Sequence, residues 1–163
     1  METGQSRPIQ GDSMFSGTPI EYQDEPITND GFWPDLNVAQ FQEARSIPAD
    51  LSVTTVVEAL LAAVAEINVS LAPVKARYQG EGYARAERVP GPSCAGVNQV
   101  VAQYKKAVFA RAKADLLGEF ASIGRQKTSP GQESDETRNN LLAEAAMVIR
   151  NLLGVPRVGV SII

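Results

Sequence analysis

The chain has 163 residues, 44% of them hydrophobic and 21% charged, with a formal net charge of -4 and a pI near 4.9. That length suits one domain with a real core, and that composition excludes wholesale disorder. The absence of histidine excludes Ser-His-Asp and Cys-His catalysis, HExxH zinc sites and histidine proton shuttles. A single cysteine, Cys94, allows neither an intramolecular disulfide nor a thiolate metal cluster.

Charge is unevenly distributed: residues 1–50 carry two bases, Arg7 and Arg45, against nine acids, a net of -7 that leaves +3 for the rest. Such asymmetry marks an arm or interaction tail. Residues 1–31 contain Pro8, Pro19, Pro26 and four glycines without a sustained apolar period, and are predicted to form an extended arm. The first residues lack a charged region followed by an apolar stretch, so the protein is expected to begin life in the cytoplasm. "GDSM" at Gly11–Met14 imitates the Gly-Asp-Ser opening of some serine hydrolases. With no histidine to activate Ser13 and no strand before it, the imitation carries no chemistry.

"NDG" at 29–31 supplies turn chemistry. Behind it stand Phe32, Trp33 and Pro34, with the only tryptophan in the chain, read as anchors that tie the arm to the body. Asp35 is the expected N-cap of a short helix through "LNVAQFQEAR" that stops before Pro48.

The strongest periodicity follows in "SVTTVVEALLAAVAEINVSLAPVKARY". Val53, Val56, Val57, Leu60, Leu61, Val64, Ile67, Asn68 and Leu71 fall on one stripe, which predicts an amphipathic helix capped by Ser52 or Thr54. Asn68 is read as a satisfied core or interface amide, and Pro73 as the residue that kinks or ends the helix. No uninterrupted apolar run approaches the roughly 18 residues that span a bilayer, and no membrane association is expected.

A loop, "QGEGYARAERVPGPSCAG", comes next. Its "GEG" lacks the context of a phosphate loop, and Cys94 is read as a small packing side chain. A long helix then places Val97, Val100, Val101, Tyr104, Val108, Ala112, Leu116 and Phe120 inward. Its outer face is basic, with Lys105, Lys106, Arg111 and Lys113 opposed only by Asp115 and Glu119. Arg125 and Lys127 lie just past its end, and together these six cations are candidates for facing DNA.

After the turn "KTSPGQ", a last helix is predicted from about Asp135 to Leu153, with Leu141, Leu142, Ala145, Val148, Ile149 and Leu152 inward and Gly154 as C-cap. Asp135 and Glu136 at its start offset the helix dipole rather than form an acid/base pair. The tail alternates Val158, Val160 and Ile162 against Arg157, Gly159 and Ser161. This is a strand pattern without a partner strand in the chain. Arg157, Val158, Val160, Ile162 and Ile163 are therefore candidates for docking on another protein or a neighbouring copy.

The expected fold is all-α: a small bundle of three long helices plus one short, with an N-terminal arm (1–31), a helical domain (32–155) and a C-terminal docking strand (156–163). No enzyme, metal or cofactor is expected, since the stripes are apolar and leave little room for paired carboxylates.

"ITNDGFWPDLNVAQFQEAR" resembles the start of the conserved part of the phage head completion/stabilisation proteins, the GpL family, in which an Asn-Gly-Phe-Trp-Pro-Asp segment leads into a short helix. In order follow "SVTTVVEALLAAVAEINVSLAPVKARYQGEGY", "YKKAVFARAKADLLGEF", "LLAEAAMVIRNLLG" and "RVGVSII". The likeness spans about residues 27–163, the segment containing Phe32, Trp33 and Pro34 and the helix "YKKAVFARAKADLLGEF" being its more specific parts.

The resemblance implies a virion protein of tailed phages at the portal vertex, made in the bacterial cytoplasm. It implies an adaptor that joins the portal protein after DNA packaging as a ring, expected to be a dodecamer. That ring would lie close to the packaged double-stranded DNA and present a surface to a tail-completion or tail-terminator protein. No catalytic residue is implied. The alternative is a soluble cytoplasmic nucleic-acid-binding or regulatory helical protein, which the acidic pI disfavours.

Overall fold

The computed structural model describes residues 21–124 and 135–155, and the side chains among them except those of 118–124 and 135–136. The tail residues Arg157, Val158, Val160, Ile162 and Ile163, the cations Arg125 and Lys127, and residues 1–20 of the expected arm lie outside the described residues.

The fold begins before the expected first helix. Strand β1 (Pro26–Ile27) pairs antiparallel with β2 (Leu36–Asn37), setting Pro26 opposite Asn37 and Ile27 opposite Leu36. This pairing closes 28–35 into a loop and holds the chain extended as far as Asn37. Helix α1 (Val38–Arg45) therefore starts later than expected: Asn37, not Asp35, is the N-cap, its side chain accepting the Ala39 N–H at 2.8 Å. The Asp35 carboxylate instead accepts the Asn29 N–H at 2.8 Å. Ser46, left-handed at φ 52°, ends α1 by returning its N–H to the carbonyls of Gln42 and Glu43.

Helix α2 (Val53–Ser70) buries Val56, Leu60, Ala63, Val64 and Ile67. Pro73 does not kink it. The helix stops at Leu71, and a second short helix, α3 (Ala72–Gly80), begins with Pro73 in its first turn, where a missing N–H costs nothing. The described helices are thus three long and two short, one short helix more than expected.

Beyond α3 comes a 3₁₀ turn (Ala86–Arg88) and a hairpin in which β3 (Ser93–Cys94) pairs with β4 (Val97–Asn98). Ala95 (φ 48°) and Gly96 (φ 79°) make the two-residue turn, both left-handed as a tight hairpin requires. Neither strand pair was expected, because two residues show no periodicity. The hairpin also overturns the reading of Cys94 as a packing residue: it carries the thiol out to an exposed position.

Helix α4 (Gln99–Gly124) is the centre of the body, and α5 (Asp135–Leu152) packs along it. Ala107, Val108, Phe109 and Ala110 are buried in succession, which happens only when neighbours cover a helix on more than one side. Tyr104 and Arg111 reach α2 through Asn68 and Glu66, and Lys106 reaches α5 through Glu144. At 3.6 residues per turn these attachments lie about 140–160° apart, so α2 and α5 flank α4 on nearly opposite sides.

Residue numbers rise on α2 as they fall on α4 along the Glu66–Arg111 and Asn68–Tyr104 contacts. The same inversion holds between α4 and α5, where Lys106 meets Glu144 while Val100 and Gln103 share a cleft with Asn151 and Leu152. Both flanking helices therefore run antiparallel to α4 and parallel to each other.

At 18 residues, α2 is long enough, and apolar enough on average, to cross a membrane by composition, although Glu58 and Glu66 interrupt it. The uninterrupted apolar run between those two acids, residues 59–65, stays far short of a bilayer span. The inner face of α2 is core, packed on α4, yet only 28% of the helix is buried.

Candidate functional site

The loop 28–35 shows how the sequence concentrates polar groups in one place. The Asp30 side chain accepts the N–H groups of Phe32 and Trp33, both at 3.0 Å, while Gly31 at φ 84° lets the backbone turn between them. Its second oxygen takes a hydrogen bond from the Lys75 ammonium on α3 at 2.8 Å. Partial burial pushes the Asp30 carboxyl up. The Lys75 bond, the two backbone N–H groups and the Lys75 charge outweigh that push and hold it below the usual carboxylate range.

Next to it, three side chains from three parts of the chain close a ring of hydrogen bonds. Asn29 donates to the Tyr104 hydroxyl at 2.8 Å, Tyr104 donates to the Asn68 carbonyl oxygen at 2.8 Å, and Asn68 donates back to the Asn29 carbonyl oxygen at 2.9 Å. The remaining Asn29 N–H donates to the Pro34 carbonyl at 2.9 Å. Burial raises the Tyr104 phenol above its usual range, the nearby Asp30 charge adds to this, and the Asn29 bond opposes it. The hydroxyl stays protonated and serves as a fixed donor, not as a base.

Phe32, Trp33 and Pro34 are buried directly over this ring. The Trp33 indole stacks on Tyr104, with centroids 4.5 Å apart and planes 6° from parallel, and Phe32 meets Trp33 edge-on at 4.9 Å. The Phe32 carbonyl accepts the Ala86 N–H at 2.9 Å, which ties the second loop to the first.

The cations expected on the outer face of α4 are placed less simply. Arg111 pairs with Glu66 at 2.9 Å, and Lys113 donates to the Arg45 carbonyl at 2.8 Å. Lys105 donates to the Gln40 side chain at 3.2 Å, and Lys106 lies 3.9 Å from Glu144 with its side chain more than half exposed. The expectation that only Asp115 and Glu119 oppose them is incomplete, because Glu66 and Glu144 come from the flanking helices. Arg45 completes this seam: it forks onto both oxygens of Glu144 at 2.8 and 3.3 Å and onto the Lys106 carbonyl at 3.0 Å, joining α1, α4 and α5.

Asn98, just before α4, is buried and fully used. Its oxygen accepts the Val101 N–H at 2.9 Å as an N-cap, and its nitrogen donates to the carbonyls of Ala86 and Val89, each at 2.8 Å. A cleft of about 440 Å³ between α3, α4 and α5 is lined by Tyr78, Val100, Gln103, Lys106, Val148 and Leu152, without a carboxylate. No group of three or more Cys, Asp or Glu side chains among the described residues is placed to hold a metal ion.

Sequence reasoning found Phe32, Trp33, Pro34 and the apolar stripes. It read Asn68 as a satisfied amide, which it is, but missed Asn29, Asn98 and the Arg45–Glu144 pair as organising residues. Asn98 had a local signal, standing immediately before an apolar-periodic run. The Asn29–Tyr104–Asn68 ring had none.

A helical body whose polar side chains are used in fastening its loops defines a structural module, and comparison with known proteins says which kind. The family model for the phage head completion protein (GPL) matches residues 27–163. The "Probable head completion/stabilization protein" of Haemophilus phage HP1 (strain HP1c1) is 38% identical over 144 residues, covering 88% of this chain and 96% of the relative. The "Head completion/stabilization protein" of Escherichia phage P2 is 26% identical over 157 residues, covering 94% of this chain and 92% of the relative. No solved structure matches. The chain belongs to the phage head completion protein family, and its role is a structural one in the phage head.

Proposed function

We propose that the protein is a head–tail connector: it binds the portal after DNA packaging, forms a ring of identical copies there, and offers the surface on which the tail attaches. The observation that carries this reading is the family match along residues 27–163, together with two relatives named for head completion and stabilisation. Completing and stabilising a filled head calls for a plug at its opening, and a module fastened by internal hydrogen bonds suits a load-bearing ring. In this reading the tail residues Arg157, Val158, Val160, Ile162 and Ile163 add a strand to the portal or a neighbouring copy, and Phe32, Trp33 and Pro34 hold the arm to the body. Lys106, the most open of the α4 cations, faces the DNA together with Lys105, while Arg111 and Lys113 chiefly fasten α4 to α2 and α1.

The test is to mix the purified protein with purified portal rings and weigh the product by native mass spectrometry. A discrete complex with one copy per portal subunit is expected. A stable monomer that ignores portal at micromolar concentration overturns the connector reading.

A further inference from the structure

The cleft between α3, α4 and α5, about 440 Å³ in volume, has a divided lining. Val100, Val148 and Leu152 give it an apolar floor, each of them buried. Three carboxamides also line it, Gln99 and Gln103 on α4 and Asn151 on α5. Among the described residues none of these three side chains makes a hydrogen bond, and the Gln103 oxygen is buried without a partner. A buried acceptor with no donor is costly, and a carboxamide carries donor and acceptor together. Of the two cations at the edge, Arg77 is already tied to the Leu152 carbonyl at 3.2 Å and Lys106 leans to Glu144. With no carboxylate in the lining, these groups suit a peptide backbone, which offers N–H and C=O in turn, better than they suit an ion.

Spacing makes that peptide an extended one. Gln99 and Gln103 stand four residues apart on one helix, about 6 Å along its axis. A strand repeats the N–H and C=O groups of one edge every two residues, about 6.6 Å. The two amides are thus spaced to hold successive peptide groups along one edge, while every second side chain drops onto the floor.

The chain brings such a segment to the rim. Helix α5 ends in a Schellman turn: Gly154 takes φ 74°, its N–H donates to the Asn151 carbonyl at 3.1 Å, and the Val155 N–H donates to the Arg150 carbonyl at 3.0 Å. Gly154 itself lines the cleft, so the chain leaves α5 at the edge. Because α5 runs antiparallel to α4, that edge is the Gln99 end. The next residues in sequence include the tail in which Val158, Val160 and Ile162 alternate with Arg157, Gly159 and Ser161.

We infer that residues 157–163 lie in the cleft of their own chain as an extended strand, running from the Gln99 end toward Lys106. Val158 and Val160 then rest on the apolar floor, Arg157, Gly159 and Ser161 face solvent, and one backbone edge bonds to Gln99 and Gln103. Gln99 to Lys106 is about 10 Å along α4, which about three extended residues span. A tail on so short a tether has an effective concentration in the millimolar range, which favours it over a neighbour's. A strand with apolar side chains and bare edges pairs indiscriminately, and the cleft covers it until a partner competes for it. This gives the tail docking proposed above a resting state, and rests on that reading only for what displaces the tail.

Amide hydrogen exchange on the full chain without portal tests it. The amides of 157–163 are expected to exchange about tenfold or more slowly than those of an unstructured peptide of the same sequence, to the same degree at every protein concentration. Gln99→Ala combined with Gln103→Ala alters an exposed and a half-buried position to the best helix former, so α4 is retained. It is expected to return the tail to the free rate while the α4 amides keep theirs. Val158→Asp combined with Val160→Asp lies outside the helical body and is expected to do the same, by setting charge against the apolar floor. Tail amides that exchange freely in the wild type, or protection that either double variant leaves in place, overturns the inference. So does protection that grows with protein concentration, since the tail then lies in a neighbour's cleft. If the tail is free for about a tenth of the time, the Gln99→Ala, Gln103→Ala variant should bind portal rings about tenfold more tightly than wild type. Unchanged affinity would show that cleft and portal do not compete for the tail. A protected tail in a chain that ignores portal would remove the connector reading and leave the cleft assignment standing. An unprotected tail in a chain that binds portal would do the reverse.

Discussion

Replacing Tyr104 with Phe removes one oxygen and leaves the aromatic stack on Trp33 in place, which isolates the contribution of the hydrogen-bonded ring. The hydroxyl both accepts from Asn29 and donates to Asn68, so its loss breaks two bonds and strands an Asn29 N–H and an Asn68 oxygen in a part-buried site. Two ordinary bonds are worth about 1 kcal/mol each, and unsatisfied partners add to that, giving an expected loss of about 2–3 kcal/mol. At roughly 2–4 °C per kcal/mol for a chain of this size, Tm should fall by about 5–10 °C. Urea unfolding should show a lower midpoint with an unchanged slope, since the same surface is buried. A double-mutant cycle with Asn68→Ala should then give a coupling of about 1 kcal/mol, because the second change cannot break a bond already gone. If Tyr104→Phe costs less than about 0.5 kcal/mol, the ring is not what fastens loop 28–35 to the helices, and the stacking of Trp33 alone does so.

Asp30 should make stability pH-dependent. Its folded pKa lies below its unfolded value, so its stabilisation is fully present above the ordinary carboxylate range near about pH 4 and is lost as pH falls through the lower, folded value. The stability gap between wild type and Asp30→Asn should accordingly shrink on acidification, and a gap that does not change with pH would refute the assignment. Asn98→Ala removes an N-cap and the donor of two buried carbonyls, for an expected loss of about 2–4 kcal/mol. Asn98→Asp keeps the cap but should be no better, because a carboxylate cannot donate; full rescue by Asp would show that the two carbonyl bonds are idle. Deleting residues 157–163 should leave the helical circular dichroism intact and abolish co-sedimentation with portal, and retained binding would rule out tail docking. Lys105→Glu combined with Lys106→Glu should weaken genome retention without unfolding, and heads that stay full would exclude a DNA-facing role for that surface.

Local patterns read well where they are long. The stripes of α2, α4 and α5 repeat over several turns, so their existence and most of their inward positions were legible, as were the turn at 29–31 and the burial of Trp33; Leu61 and Val97, expected inward, are exposed, and Val97 belongs to β4. The two strand pairs were not, because a two-residue strand has no period and exists only through its partner. The ring of Asn29, Asn68 and Tyr104 joins residues 36 to 75 positions apart, and no spacing rule links them.

The sequence by itself determined the class of fold, the order of the long helices and the family, since each rests on pattern along the chain: apolar spacing, turn residues and the FWPD segment. Only the tertiary structure decided what the polar residues do. Whether Lys113 or Arg111 faces solvent or a neighbour depends on which helices flank α4, and that is set by long-range packing. Pro73 shows the same division at a single position. Its chemistry guarantees that a continuous helix is disturbed there, but whether the chain bends or starts anew was decided by where Leu71 and Val74, both buried, could reach the core.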